Sequence, residues 1–158
     1  MLQTYSAHGV RFEYPEDWEL AEHGAGDEIV VTVSSPETAF WSLSLFRDHP
    51  EPQRVVDAVV ETFREEYANL DIYEADEDVC SQPALGCDIE FFCLELLNSA
   101  WVRAFEARDF TVLVLYQATD HELDEIAPIF HGITESLACE APPDFDGNSD
   151  EAFREFWN

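Results

Sequence analysis

The stretch His121-Glu122-Leu123-Asp124-Glu125 comes within one residue of HExxH, the helical motif that sets two imidazoles over one zinc ion with a glutamate beside it as general base. Glu125 stands where the second histidine belongs, and His131 lies about 280° around an ideal helix from His121, so no second imidazole shares that face. An acid-rich first helical turn, favoured by the macrodipole, accounts for the same residues. The run Asp144-Phe145-Asp146-Gly147-Asn148-Ser149-Asp150-Glu151 resembles part of a calcium loop. With Gly147 as the loop's sixth residue, the first is Pro142 and the twelfth Phe153, so the entry ligand and the bidentate glutamate are both missing. A turn followed by a helix cap, with Asn148 and Glu151 at capping-box spacing, explains these residues as well.

Nucleophiles fare no better. There is no GxSxG elbow and no phosphate loop. The four cysteines, Cys80, Cys87, Cys93 and Cys139, form no close CxxC pair and have no evidently electropositive setting that lowers a thiol pKa. Cys87 and Cys93 sit in one expected strand at a separation of roughly 20 Å, beyond disulfide reach, and read as core filling. Reduced thiols are expected throughout. With no complete catalytic constellation, the expectation is a non-enzyme with no cofactor and no metal.

Residues suited to contact rather than chemistry stand out more. Glu74, Asp76, Glu77 and Asp78 form the densest acidic run, either a patch for an Arg/Lys-rich partner or a guard that keeps an edge strand from pairing with another chain. Phe153, Phe156 and Trp157 fall on one side of a short amphipathic segment, which docks either on its own domain or on a partner. A carrier for a small apolar ligand or peptide is the alternative, using a cleft between sheet and helices lined by residues such as Trp41 and Trp101.

Composition narrows the partner. Thirty-five residues are Asp or Glu and all seven basic residues are arginine, for a formal charge of −28. Such a field repels nucleic acid and anionic membranes and leaves a basic protein surface, a cation, or solubility in salt as its use. The 46% apolar and 13% aromatic content nevertheless places the chain with globular proteins. No stretch approaches the ~18 apolar residues of a membrane span, and MLQTYSAHGV has neither the basic nor the apolar region of a secretory signal, so a soluble, cytoplasmic protein is expected.

The elements follow from periodicity. GVRFEY alternates as a half-buried strand that Pro15 ends, with Trp18 folding back over the sheet edge and His23–Asp27 turning the chain. EIVVTVSS (28–35) and FWSLSLF (40–46) are the next strands. Pro52 opens a helix over 52–69 whose Val55, Val56, Val59, Val60, Phe63, Tyr67 and Leu70 recur at helical spacing. DIYEADEDV (71–79) reads as an exposed edge strand. GCDIEFFCLELL (86–97), SAWVRAFEAR (99–108) and FTVLVLYQAT (110–119) read as an antiparallel meander with turns at Asn98-Ser99 and Arg108-Asp109, its last strand apolar on both faces. A closing helix carries Ile126, Ile129, Phe130, Ile133 and Leu137, with Pro128 kinking it or delaying its start to about residue 126.

This order, with "GVRFEYPEDWEL", "FTVLVLYQATD" and the closing "ITESL", resembles the Mog1/PsbP-like superfamily over residues 8–138. In that family the YP-x-D-W stretch is similar to a structural signature at the first corner of the sheet. The resemblance implies an α+β fold, an antiparallel sheet of about six or seven strands packed with helices as an α/β/α sandwich. It also implies a binding protein, since members include a regulator of a nuclear-transport GTPase, an extrinsic photosynthetic subunit, and chaperones and secretion accessories. No functional residue carries over by position, and fold analogy raises only the expectation of binding. Residues 1–139 are expected to form the single domain and 140–158 an acidic tail.

Screening the self-repulsion of this charge stabilises the compact state. The melting temperature is expected to rise with added salt; a value that stays flat from low to high salt contradicts this.

Overall fold

The computed structural model describes residues 1–139. Leu2–Ala7 (β1) returns through His8-Gly9 as Val10–Pro15 (β2). Both turn residues have positive φ, 55° and 86°, the geometry that matches a two-residue hairpin to the right-handed twist of its strands. β1 escaped the sequence reading because LQTYSA has no apolar alternation and its side chains are mostly exposed. The YPEDW stretch is the corner: the Trp18 amide bonds the Pro15 carbonyl at 3.1 Å, and the chain turns from this small sheet into the main one. Trp18 is buried and meets Phe130 edge-on at 6.1 Å.

The main sheet begins with Glu19–Ala25 (β3) and continues through Glu28–Ser34 (β4) and Phe40–Phe46 (β5). His23, Gly24 and Ala25 belong to β3, so the turn is confined to Gly26-Asp27. Pro52–Glu66 (α1) follows; it ends three residues earlier than 69 because Tyr67 goes extended and lays its ring 4.4 Å from Phe91. The expected edge strand 71–79 is two strands, Leu70–Glu74 (β6) and Glu77–Val79 (β7), which pair with successive parts of Gln82–Cys93 (β8). Leu96–Glu106 (β9) and Thr111–Thr119 (β10) complete the meander. Its first turn is Leu94-Glu95, with φ of 53° and 67°, not Asn98-Ser99. Asn98 is buried inside β9 and donates to the Leu96 carbonyl at 3.1 Å. Leu123–Ser136 (α2) runs through Pro128, and Ala138–Cys139 (β11) adds to β2.

All strand pairs are antiparallel, and the main sheet runs β3-β4-β5-β10-β9-β8-β6 with β7 attached to β8. Its central strand divides the core. Val112 and Val114 face a cluster with Phe12, Trp41, Leu43, Phe130 and Ile133, whereas Leu113 and Leu115 face Val55, Val56, Ile89 and Phe91. Helix α1 therefore covers one face, and α2 with the small sheet covers the other. The fold is α+β, an α/β/α sandwich.

Gly86 marks the closest backbone approach. A Cβ there meets the Val102 carbonyl oxygen at 1.8 Å, a contact no side-chain adjustment relieves. Gly86→Ala is expected to cost at least about 3 kcal/mol, seen as a lowered urea midpoint; a midpoint shift near zero contradicts this reading of the bend.

Candidate functional site

The residues of the acidic run do not stay together. Glu74 pairs with Cys87 across the ladder and so lies on the α1 side, where Asp76 joins it. Glu77 crosses to the opposite face and receives the Arg103 Nε–H at 2.5 Å. Asp78, the remaining member, is exposed on β7. Phe153, Phe156 and Trp157, with the calcium-like run, lie outside the described residues.

Arg103 is what divides the run. It is only 5% exposed in a chain with seven basic residues. Besides Glu77 it meets Asp88, with Nη2 2.8 Å from Oδ1 in an ion-pair contact whose angle makes no hydrogen bond. Nη1 donates to the carbonyls of Cys87 and Val102 at 3.1 and 3.0 Å. Burial pulls the guanidinium pKa down, but the adjacent carboxylates of Glu77 and Asp88 outweigh it and hold the group charged. Arg103 was not singled out in the sequence; a lone arginine with Trp101 and Phe105 two positions to either side was the available sign.

On the α1 side, Glu74 and Asp76 face Asp57 and Glu61 of the helix across a groove of about 590 Å³. Arg64 is the one cation on its rim, and Val56, Val60, Ile72, Leu85 and Cys87 form its floor. The floor residues are the α1–sheet interface itself, and among the described residues β6 above them is the terminal strand of the sheet, paired on one side only. Four exposed carboxylates over an apolar floor, beside the last strand of the described sheet, suit an extended or helical segment with apolar and basic residues in alternation.

A second cleft of about 680 Å³ lies on the other flank of α1, against β5. Phe46, Val55, Val59 and Leu113 make its apolar wall, and Glu28, Asp48, His49 and Arg54 its mouth. Neither tryptophan expected to line a cleft is there. Trp41 is completely buried and donates its indole N–H to Thr134 at 2.9 Å, and Trp101 stacks on Tyr116 at 5.2 Å on the opposite face.

The HELDE stretch is structural. Glu122 accepts from the Thr38 and Thr119 hydroxyls, at 2.5 and 3.1 Å, and ties the turn before β5 to the start of α2. Burial raises its carboxyl pKa, but these bonds outweigh that and lower it. His121 is exposed, and His131 pairs with Glu135 at 3.3 Å. Among the described residues no group of three or more His, Cys, Asp or Glu gathers as a metal would need, and no helix is long and apolar enough to cross a membrane.

The antiparallel sheet sandwiched between α1 and α2 matches the fold of PsbP-like solved structures. The chain is similar to the solution structure of cyanobacterial PsbP (CyanoP) from Synechocystis, at 15% identity over 87% of this chain and 92% of that one, with a TM-score of 0.59. It is similar also to PA94 of Pseudomonas aeruginosa, at 15% identity, 89% and 99% coverage and a TM-score of 0.54. LpqN of Mycobacterium tuberculosis, a protein involved in cell envelope biogenesis, matches at 11% identity, 89% and 92% coverage and a TM-score of 0.51. No protein-family model and no curated protein matches the sequence. At these identities the likeness establishes the fold.

Removing the guanidinium leaves Glu77 and Asp88 without the cation they share and removes its hydrogen bonds to the Cys87 and Val102 carbonyls. Arg103→Met is expected to lower stability by about 2–4 kcal/mol, with part of the loss recovered when Glu77→Gln and Asp88→Asn are added. A single variant as stable as the parent in urea unfolding contradicts the role given to Arg103.

Proposed function

We propose that this protein is a non-catalytic binding module that receives a basic, amphipathic segment of a partner protein in the groove between α1 and β6. One observation carries the reading: Asp57, Glu61, Glu74 and Asp76 converge over an apolar floor at a sheet edge that no described residue covers. The surrounding field of −28 formal charges accelerates the encounter with a cationic segment, and the groove supplies contacts that a diffuse field lacks. Glu77 stands outside this set because Arg103 already occupies it.

The carrier reading keeps one specific support, the cleft between α1 and β5 with its wall of Phe46, Val55, Val59 and Leu113. Its volume lies within the usual range for small-molecule sites. Trp41 and Trp101 lie away from that cleft, so a thermal-shift screen suits it better than tryptophan quenching.

Capture from a lysate of the source cell at low and high salt tests the main reading, comparing the parent with a D57N/E61Q/E74Q/D76N variant. A partner held at low salt, released at high salt and lost at least tenfold by the variant is expected. Capture by the variant equal to that by the parent overturns the groove, and a ligand that raises the melting temperature without any captured protein favours the carrier.

A further inference from the structure

Two cysteines that are distant in sequence meet in the fold. Cys80 and Cys139 are 59 positions apart, yet their sulfurs lie 3.6 Å from one another. The Cys80 thiol also contacts the Leu137 carbonyl at 3.1 Å as a donor, and either sulfur can donate in the contact between the two. Both residues are partly exposed, whereas Cys87 is buried. Cys80 and Ser81 form the two-residue turn between β7 and β8 with φ of 56° and 62°, so the turn holds one sulfur in place. Cys139 is held from the other side by pairing with Val10 in β11.

We propose that Cys80 and Cys139 are a reversible oxidation site that closes to an intramolecular disulfide. Joining the sulfurs at about 2.0 Å asks for a movement of roughly 1.5 Å, within reach of side-chain rotation. The oxidant is a small-molecule disulfide. The Cys80 thiolate attacks one of its sulfurs, breaking the S–S bond; one small thiolate leaves and takes up a proton, and a mixed disulfide remains on Cys80. The Cys139 thiolate then attacks the Cys80 sulfur and expels the second small thiolate, which is protonated in turn. Two protein thiols are oxidised to one disulfide, and one small disulfide is reduced to two thiols. The hydrogen bond from Cys139 favours the Cys80 thiolate over its burial and lowers that thiol's pKa, which suits Cys80 as the first nucleophile.

The consequence is local and mechanical. Among the described residues β11 holds to β2 through Ala138 and Cys139, and the chain continues from there into residues 140–158. The disulfide ties that point of departure to the β7–β8 turn beside Glu77 and Asp78. Oxidation thus adds a covalent tie to β11, the shortest strand of the described residues, which pairing with β2 holds while the thiols are free.

The test uses the intact chain, incubated with oxidised glutathione or with dithiothreitol, then titrated for free thiols, melted, and mapped by proteolysis under non-reducing conditions. Two of the four cysteines are expected to disappear from the titration, the map to link Cys80 with Cys139, and the melting temperature to rise by roughly 5 °C or more, all reversed by dithiothreitol. The C87S/C93S variant retains this behaviour, and C80S and C139S each lose it. Four thiols that persist in oxidised glutathione, a glutathione adduct that never resolves, or a link involving Cys87, Cys93 or a second molecule overturns the proposal. Because the mapping is made on the parent protein, it decides the matter even if a serine variant does not fold.

Discussion

The guanidinium of Arg103 holds β7, β8 and β9 in one arrangement, and the shape of the acidic surface follows from it. A chain of −28 formal charge has few cations to place, yet one of its seven arginines is buried in the face of the sheet. There it bonds two carbonyls where β8 passes closest to β9, beside Gly86, and draws Glu77 and Asp88 onto itself. Charge buried in this way is strongly favourable only while its partners stay. That constraint pulls Glu77 away from its sequence neighbours and leaves Glu74 and Asp76 on the α1 side. An acidic run that is continuous in sequence becomes, in space, one neutralised pair and one groove.

Much of this architecture was legible in residue periodicity, because burial on one face or two leaves its mark at spacings of two or of 3.6. The doubly apolar β10, the α1 stripe of Val55, Val56, Val59 and Phe63, and the YPEDW corner each correspond to elements that bury those side chains. What escaped was local. β1 is recruited by pairing with β2 rather than by an apolar pattern of its own, and β11 is two residues long. The turn after β8 falls on Leu94-Glu95 although Asn98-Ser99 has the better turn chemistry, since burying Asn98 and pairing Phe91 with it sets the register. Tertiary pairing overrode turn preference there.

The candidate site was half legible. Glu74 and Asp76 belonged to a run visible at once, but Asp57 and Glu61 fall outside the apolar stripe of α1, and only the packing of α1 beside β6 brings them to the groove. Arg103, which decides the fate of Glu77, was one residue in a strand. The meeting of Cys80 with Cys139 depends on β11 returning to the side of the β7–β8 turn, and nothing in the spacing of the cysteines signals it. Sequence periodicity reports which face a residue occupies, not which distant residue shares it.

The central claim is that recognition is concentrated in the α1–β6 groove rather than spread over the whole anionic surface. A titration of the protein with an Arg-rich amphipathic peptide, followed by backbone amide chemical shifts, tests it most directly. Saturable shifts confined to residues around Asp57, Glu61, Glu74 and Asp76, weakening with salt, are predicted. Small shifts scattered over every acidic face, or centred on the α2 side, contradict the claim.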